Sequence, residues 1–285
     1  MKLIFITIPR SFKEPYLNSQ LNMLNAIRKY NSKSEVIFYS DDNGVYEFAQ
    51  KNNCIAPQNI KKMDNLPLVN SALEYGASLF PEAFICFINS DILVLGDLIP
   101  IISSINKTKF NNNFVLTAYR LEAKVEKCLS DDELNALKVN HRNIKGRHHA
   151  LDFFIFSSSI IKKLNMPTYR VGRIGWDSWI AGNSRKLRIP FIDVSAIVKV
   201  IHQDHPQSHD KTSWDALWTD WYTNGIFNFG SLIDCNYFAV PEKKEIYLKF
   251  SLKQYLFGTL IGRIIRAFRR ISIAFFREKI INRKF

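Results

Sequence analysis

Cysteine is scarce in this 285-residue chain and is not arranged for cross-linking or for metal binding. The four cysteines are widely spaced and form no CxxC pair; they are Cys54, Cys86, Cys128 and Cys235. This spacing matches neither a disulfide framework nor a zinc site. We therefore expect buried, reduced thiols and a cytosolic protein, because disulfides accumulate in oxidising compartments.

Long hydrophobic runs are also lacking. No stretch reaches the roughly 18 charge-free apolar residues that a transmembrane helix needs. The N-terminal sequence MKLIFITIPR has a short apolar run and no small-residue cleavage site, so it predicts a first β-strand over Lys2–Ile8 and not a signal peptide. There is no internal repeat and no phosphate-binding loop of the G-x-x-x-x-G-K type. The length and the 47% of hydrophobic residues are enough for one large α/β domain or for two small ones.

Positive charge dominates, but it is unevenly distributed. The formal net charge is +13, and residues 242–285 carry 12 Lys and Arg against three Asp and Glu, which is +9 of that total. The basic character thus belongs mainly to a tail, which argues against nucleic-acid binding by the whole protein and favours a local anionic partner. We divide the chain into a domain over residues 1–240 and a basic amphipathic tail over residues 241–285.

Apolar runs and helical periodicities alternate along the first half of the chain. Strands are predicted at Lys2–Ile8, Glu35–Tyr39, Ala83–Ile88, Phe114–Tyr119, Asp152–Phe156, Ile189–Asp193 and Ala196–Ile201, and helices at Tyr16–Tyr30 and Leu68–Leu79. Strands separated by helices of this length predict a doubly wound α/β fold, with a mixed, mostly parallel sheet flanked by helices. Ligands of such sheets lie beyond the carboxyl ends of the strands. Three segments are therefore expected on one rim, namely Pro9-Arg10, Ser40-Asp41-Asp42 and Asn89-Ser90-Asp91.

Two oxygen-bearing side chains directly follow the apolar strand FICFI. Asp91 is a candidate main ligand for Mg²⁺ or Mn²⁺, and Asn89 is a weaker ligand or a second-layer partner, because such ions prefer oxygen ligands on a rigid edge. The alternative is that Asp91 is only a turn former or helix N-cap. A second acidic stretch, Ser130–Glu133, matches S-x-x-E and is better explained as a helix capping box than as a metal cluster.

Histidines cluster directly after another apolar strand. His202, His205 and His209 lie within eight residues, although the chain has only six histidines. Imidazole binds Mn²⁺ or Zn²⁺, and a protonated ring contacts phosphate. Satisfied loop histidines are the structural alternative. If Asp91 and one of His202 and His205 share an ion, their side chains must converge in the fold.

The segment GRIGWDSW places a carboxylate between two tryptophans. Asp177 is a candidate general base for a hydroxyl, and Trp176 and Trp179 are candidate stacking surfaces for a sugar. The alternative is that Asp177 caps the helix that starts near Ser178 while both indoles belong to the core.

Taken together, these features resemble the GT-A glycosyltransferase superfamily, and more closely the bacterial nucleotide-sugar transferases of surface-polysaccharide synthesis. The matching stretches occur in the family's order over about residues 3–210; they are ITIPRSF, IFYSDDNGV, LPLVNSALEYG, FINSDILV, LDFFIFSSS, GRIGWDSWIAG and VIHQDHPQSH. FINSDILV and VIHQDH are the more specific of these. The resemblance implies a GT-A-like fold and a donor that is a nucleoside diphosphate sugar, with UDP as the expected nucleotide.

The resemblance also assigns residues on the nucleotide side of the site. It implies that Ile8 and Pro9 border the base and that Asp41 or Asp42 lies near the uridine or the ribose. Asn70 is expected on the helix that faces the nucleotide.

The metal and sugar sides of the site follow from the same resemblance. Asn89, Ser90 and Asp91 stand where the family has its DxD motif, with Asp91 and Asn89 toward the metal and Ser90 toward the nucleotide. Asp152 borders the donor sugar, and Asp177 takes the place of the catalytic base. His202 matches the family's late metal-binding histidine, and His205 is the alternate. The first acid of the motif is replaced by Asn89, which implies weaker or partial dependence on Mn²⁺ or Mg²⁺.

The tail has a helical pattern of its own. At 100° per residue an apolar face forms opposite a row of arginines, namely Arg263, Arg266, Arg269, Arg270 and Arg277. A C-terminal amphipathic helix of this kind lies in the interface of an anionic bilayer, so we expect residues 251–285 to bind the inner face of the plasma membrane. The alternative is a helix packed on its own domain or on a partner. Nucleic acid is not expected as a partner, because the apolar face is broad.

The sequence thus predicts a metal-dependent glycosyltransferase that acts on a glycan or a lipid-linked acceptor in surface-polysaccharide synthesis. It would be a cytoplasmic, peripheral membrane protein. Two alternatives remain open. One is a membrane-associated scaffold that kept the fold and lost catalysis, which the Asn89 replacement supports, and the other is a sugar nucleotidyltransferase.

Overall fold

Strands and helices alternate along the chain in the computed structural model, which describes residues 1–140, 146–147, 151–173, 175–204, 231–242 and 245–252. The strands are β1 Leu3–Thr7, β2 Glu35–Phe38, β3 Lys62–Met63, β4 Leu66–Pro67, β5 Phe84–Ile88, β6 Ile92–Leu95, β7 Val115–Thr117, β8 Arg120–Lys124, β9 Gly146–Arg147, β10 Phe153–Ser157, β11 Phe191–Asp193, β12 Lys199–Asp204, β13 Tyr237–Glu242 and β14 Glu245–Phe250. The α-helices are α1 Leu17–Tyr30, α2 Val45–Lys51, α3 Val69–Leu79, α4 Ile99–Asn106, α5 Asp131–Val139, α6 Ser158–Leu164 and α7 Trp176–Lys186.

An eight-stranded sheet forms the centre of the fold, in the order β14-β13-β11-β7-β10-β5-β1-β2. Strand β1 pairs in parallel with both β2 and β5, and β11 pairs in parallel with both β7 and β13. Strand β10 runs antiparallel between β5 and β7. The predicted α/β class with a mixed, mostly parallel sheet is therefore confirmed.

Helices cover the sheet on both faces, because its strands are apolar on both sides. Alternate residues of β1 point into two cores: Leu3 and Phe5 pack with α1, α2 and α4, and Ile4 and Ile6 pack with α3, α6 and α7. All five residues of β1 and of β5 are buried. A continuous apolar run such as FICFI is thus explained by burial on both faces of the sheet.

A smaller four-stranded sheet, in the order β6-β12-β8-β9, lies next to the carboxyl end of β5. Strand β12 pairs antiparallel with β6 and parallel with β8. This register sets His202 opposite Ile92 on one side and opposite Glu122 on the other. Residues from three distant parts of the chain are thereby brought side by side.

The strand predicted over Phe114–Tyr119 is shorter than expected. Strand β7 ends at Thr117 in the large sheet, and β8 begins at Arg120 in the small one. Between them the backbone N–H of Tyr119 donates a hydrogen bond of 2.6 Å to Oγ of Ser195. The chain leaves one sheet for the other at this point, so the apolar run cannot continue as one strand.

The capping box predicted at Ser130–Glu133 is confirmed. Oγ of Ser130 accepts from the backbone N–H of Glu133 at 3.3 Å, and Oε2 of Glu133 accepts from the backbone N–H of Ser130 at 2.8 Å. These bonds satisfy two backbone donors at the start of α5. The acidic stretch therefore starts a helix, as its sequence indicates.

A hairpin of β13 and β14 extends the large sheet to Phe250. The expected boundary between residues 240 and 241 falls inside β13. Residues 253–285, which carry the predicted amphipathic helix, lie outside the described residues. Within the described part of the chain, no helix has the length and apolar character to cross a membrane.

All four cysteines are free thiols, but they are not all buried. Cys86 and Cys235 are buried, Cys54 is partly buried and Cys128 is exposed. The expectation of buried thiols was therefore wrong for Cys128, because this residue lies in the connection between β8 and α5 and not in an apolar strand. Burial raises the pKa of the Cys86 and Cys235 thiols.

Candidate active site

The carboxyl ends of β1, β2 and β5 lie on one edge of the large sheet, because these strands are parallel and in register. The residues expected on that rim follow them directly. Ile8 and Pro9 are buried after β1, and Asn89 is partly buried after β5. Asp41, after β2, is exposed and forms an ion pair with Lys62. The rim that the sequence predicts is therefore present.

Asn89 and Asp152 meet where β5 ends and β10 begins. The antiparallel register sets Phe153 opposite Ile88. Asp152, just before β10, therefore lies beside Asn89, just after β5. Nδ2 of Asn89 donates a hydrogen bond of 2.8 Å to Oδ1 of Asp152. The side-chain nitrogen of Asn89 is thus engaged with a carboxylate.

Asp91 and His202 converge, as a shared metal site requires. Nε2 of His202 lies 3.3 Å from Oδ2 of Asp91. The antiparallel pairing of His202 with Ile92 explains the contact, since Asp91 is the residue before Ile92. His205, the alternate ligand, lies outside the described residues.

Strand β12 also holds the backbone of Asp91. The backbone N–H and the Nε2 amide of Gln203 both donate to the carbonyl oxygen of Asp91, at 3.0 and 3.2 Å. Gln203 is fully buried, and its own oxygen accepts from Nδ2 of Asn22 at 2.9 Å. Two successive residues of β12 therefore hold Asp91, since His202 contacts its carboxylate and Gln203 binds its main-chain carbonyl.

Strand β8 contributes two charged side chains that sequence reasoning missed. Arg120 donates to Glu122 at 2.6 Å and forms an ion pair with Asp152. Oε2 of Glu122 lies 2.8 Å from Nδ1 of His202. The signal was the alternation Arg-Leu-Glu-Ala-Lys, which places Arg120 and Glu122 on one face of a strand while Leu121 is buried on the other.

The pKa values of Asp152 and His202 are both raised, but for different reasons. Burial raises the pKa of Asp152, and the adjacent Arg120 offsets part of that rise. Burial lowers the pKa of His202, but the hydrogen bond and negative charge of Asp91 outweigh it, so the net pKa is raised. In this partly desolvated site, the charged form of Asp152 is therefore stabilised by Arg120, and the charged form of His202 is stabilised by Asp91.

Asp177 lies in the first turn of α7, beside the residues that precede β10. The helix begins at Trp176, and its N-cap is Gly175 with φ of 114°. Asp177 is therefore not the helix cap, which was the structural alternative. Burial and the negative charge of Asp152 raise the pKa of Asp177 to about 6, although backbone N–H groups of Ser178 and Leu151 donate to its carboxylate.

Trp176 and Trp179 are core residues, with 6% and 4% of their surface exposed. The Trp176 ring packs edge-on against Phe87 at a centroid distance of 5.1 Å, and Trp179 lies 6.2 Å from Tyr169. Neither indole offers a face to a bound sugar. Trp176 instead anchors α7 to strand β5, and Trp179 packs α7 against Tyr169, so the two rings help to fix the position of Asp177.

Three of the residues expected to face the nucleotide are Asp42, Asn70 and Ser90. Burial raises the pKa of Asp42, while the positive charge of Lys62 lowers it. Oδ1 of Asn70, in the first turn of α3, accepts from the backbone N–H of Tyr169 at 3.4 Å. Ser90 lies partly buried in the turn between β5 and β6.

The clustered groups have complementary chemistry. Asp91 presents a carboxylate oxygen, which suits Mg²⁺ or Mn²⁺, and His202 presents an imidazole nitrogen, which suits Mn²⁺ better than Mg²⁺. Among the described residues, no group of three or more His, Cys, Asp and Glu side chains forms a complete metal site. A metal held here would therefore need further ligands, such as the phosphate oxygens that usually complete a Mg²⁺ site.

The sequence matches no protein-family model and no curated protein sequence. The structure, however, is similar to solved structures. One is Staphylococcus aureus TarS 1–349 in complex with UDP-GlcNAc, with a TM-score of 0.52 at 12% identity over 80% of this chain and 67% of that chain. A second is GalNAc-T7 with UDP, GalNAc and Mn²⁺, with a TM-score of 0.48 at 10% identity over 77% of this chain and 47% of that chain. A third is a putative glucose-1-phosphate thymidylyltransferase from Bacillus anthracis in complex with a sucrose, with a TM-score of 0.41 at 9% identity over 70% of this chain and 88% of that chain.

TarS is a GT-A type glycosyltransferase, and the likeness to it at this low identity concerns the fold alone. The large sheet and the helices on both of its faces agree with that fold. The chain therefore has the GT-A glycosyltransferase fold.

Proposed function

We propose that this protein is a glycosyltransferase that moves a sugar from a nucleoside diphosphate sugar to a glycan or lipid-linked acceptor in surface-polysaccharide synthesis. The convergence of Asp91, His202, Asp152 and Asp177 at the rim of a GT-A sheet carries the proposal. These residues come from four separate segments, and only the fold brings them together. The donor is expected to be UDP-linked, since TarS was solved with UDP-GlcNAc.

The donor diphosphate would lie against Asp91 and His202. Their oxygen and nitrogen atoms lie 3.3 Å apart and would hold Mn²⁺ or Mg²⁺ together with diphosphate oxygens. A divalent ion in this place supplies charge neutralisation for the leaving diphosphate. Asn89 donates a hydrogen bond to Asp152, so we propose that it acts on the metal side only indirectly.

The two candidate catalytic carboxylates have different environments, and this difference supports different roles for them. Asp152 is held by Arg120 and Asn89, which suits a carboxylate that orients the donor sugar. Asp177 has a pKa raised to about 6, so it is ionised at neutral pH and is still basic enough to take a proton from an acceptor hydroxyl. We therefore assign Asp177 as the general base if the reaction inverts the sugar.

The nucleotide would lie at the ends of β1 and β2. Ile8 and Pro9 form a buried apolar border for the base, and Asp41 and Asp42 offer carboxylate acceptors for the base or the ribose. Asn70, at the start of α3, and Ser90 complete this side of the site. The apolar border suits the flat face of the uracil ring, and the carboxylate acceptors suit the polar groups of a uridine.

Membrane attachment is a separate part of the proposal and depends on the tail. Residues 251–285 carry the excess of positive charge, and the sheet ends just before them at Phe250. We propose that this tail binds anionic lipid at the inner face of the plasma membrane, where a lipid-linked acceptor is accessible. The catalytic domain would then be cytoplasmic and peripheral.

The test is to incubate the full chain with a panel of nucleoside diphosphate sugars and Mn²⁺ and to measure nucleotide release and mapped products. Release of UDP from one donor, lost in Asp177→Asn, supports the transferase. Binding of donor without turnover on any acceptor favours the scaffold instead. Formation of a nucleotide sugar from a sugar phosphate and UTP favours a nucleotidyltransferase and overturns the proposal.

A further inference from the structure

Glu122 occupies the centre of the charged cluster, although the proposed reaction does not use it directly. It lies in the middle of β8, and the parallel register sets it opposite His202 of β12. Its two oxygens have different partners. Oε1 accepts from Nη2 and Nε of Arg120 at 2.6 and 3.0 Å, and Oε2 lies 2.8 Å from Nδ1 of His202.

This arrangement determines which nitrogen of His202 is available to a ligand. A carboxylate only accepts hydrogen bonds, and each ring nitrogen of His202 faces one, Nδ1 at 2.8 Å from Glu122 and Nε2 at 3.3 Å from Asp91. The shorter contact favours the proton of a neutral ring on Nδ1. The lone pair then lies on Nε2, which is the atom that faces Oδ2 of Asp91 at 3.3 Å. A carboxylate behind a histidine also makes the opposite nitrogen a stronger metal donor.

Arg120 keeps Glu122 in this orientation. Its guanidinium binds Oε1, which leaves Oε2 for His202, and the same guanidinium pairs with Asp152. Because both side chains are largely enclosed, with 12% and 17% of their side-chain surface exposed, rotation of the carboxylate is restricted. The carboxylate is therefore held by Arg120 on one oxygen and lies against His202 on the other.

We propose that Glu122 is a positioning residue that fixes the Nδ1–H tautomer of His202 and directs Nε2 toward Asp91, so that these two residues together bind the divalent cation of a nucleoside diphosphate. This inference rests on the proposed function for the identity of the ligand. It concerns the chain's own affinity for the cation, which can be measured without any sugar transfer.

The experiment compares Glu122→Ala and Glu122→Gln with Glu126→Gln as the matched control. Glu126 is an exposed carboxylate just beyond β8 that forms an ion pair of 2.7 Å with Lys124. Mn²⁺ affinity, with and without UDP, is measured on the full chain by electron paramagnetic resonance of free Mn²⁺. Long-range ¹H–¹⁵N spectra of histidine-labelled protein in alkaline buffer, with His202→Gln for assignment, report the tautomer of the neutral ring.

The expected result is a loss of Mn²⁺ affinity of about 10- to 100-fold in Glu122→Ala, together with a shift of His202 away from the Nδ1–H tautomer. Glu122→Gln keeps an oxygen acceptor, so the tautomer should persist while the affinity falls by a smaller factor. Glu126→Gln should leave both unchanged. Thermal melting of each variant identifies a loss of fold.

Unchanged Mn²⁺ affinity in both folded Glu122 variants overturns the inference, and so does an Nε2–H tautomer in the unmodified protein. If Glu122→Ala does not fold, Glu122→Gln decides alone, because its near-identical shape keeps the packing. A chain that shows these effects on Mn²⁺ but transfers no sugar supports the inference and refutes the proposed function. Sugar transfer that is insensitive to Glu122 refutes the inference and leaves the function standing.

Discussion

Asn89 donates a hydrogen bond of 2.8 Å to Asp152 across the junction of β5 and β10. Asn89 occupies the first position of the N-S-D sequence, where the resembling family has an acid. A carboxylate there would face the buried carboxylate of Asp152 and remove a donor from it, and like charges this close raise each other's pKa. The amide is therefore suited to its neighbour, and its presence does not by itself argue for lost catalysis.

Asn89→Asp should consequently impair the protein, although it restores the acidic pattern. We expect a loss of about 1–3 kcal/mol in the free energy of unfolding at neutral pH, because Asp152 loses a hydrogen bond and gains a like charge. Denaturant unfolding measures the change. Asn59→Asp makes the same charge change at an exposed position and serves as the control. An Asn89→Asp protein of equal stability and tighter Mn²⁺ binding would show that the first acid belongs to the metal site.

Asp91→Ala should abolish Mn²⁺-dependent binding of UDP and leave the fold intact. The hydrogen bonds from Gln203 go to the backbone carbonyl of Asp91, which alanine retains, so the turn should keep its shape. Isothermal titration calorimetry with UDP, with and without Mn²⁺, measures the effect. Asp132→Ala, in the exposed first turn of α5, is the control. Equal Mn²⁺-dependent binding by both variants would remove Asp91 from the metal site.

Asp177→Asn should reduce kcat by about 10²-fold or more while donor binding is retained, because asparagine keeps the size of the side chain but cannot accept a proton. Steady-state kinetics on the donor identified in the panel provides the measurement. The variant should be at least as stable as the unmodified protein near neutral pH. The folded state raises the pKa of Asp177 from 3.8 to about 6, so ionising it costs stability as the pH rises through that window, and asparagine avoids this cost. A large loss of stability with normal kcat would make Asp177 structural.

The pH profile of turnover should have an acidic limb set by the same group. A general base works only when ionised, so kcat should fall as the pH drops below about 6. The limb should be absent from the residual activity of Asp177→Asn. Profiles measured in buffers of constant ionic strength test this, and an unchanged limb in the variant would assign it to another group.

Truncation distinguishes the tail from the domain. Removal of residues 253–285 leaves β14 complete, so this protein should fold, lose binding to anionic vesicles and retain activity on a short water-soluble acceptor. Truncation after residue 240 cuts β13 within the sheet and should abolish cooperative melting. Reversal of Arg263, Arg266 and Arg270 to Glu in the full chain should weaken vesicle binding and reduce its salt dependence. Aggregation of the first truncated protein would place the tail in the core.

Local patterns in the sequence were sufficient where a feature depends on neighbouring residues. Continuous apolar runs predicted β1 and β5, and S-x-x-E predicted the start of α5, because strand burial and helix capping are decided within a few residues. The end of β7 was misplaced, since the chain changes sheets there and the hydrogen bond that marks the change is accepted by Ser195, which is distant in sequence. The exposure of Cys128 was missed because it depends on what packs around a loop.

The sequence by itself determined the α/β class, the rim of polar residues after the strands, and Asp91, His202 and Asp177 as candidate site residues, to which the family resemblance added Asp152. Only the tertiary structure decided how they are connected. Arg120 and Glu122 belong to the site because β8 pairs with β12 in a fixed register, which sets Glu122 beside His202. In the same structure Arg120 forms an ion pair with Asp152. The role of each carboxylate also depends on the fold, because a pKa is set by burial and by charges that are distant in sequence but adjacent in space.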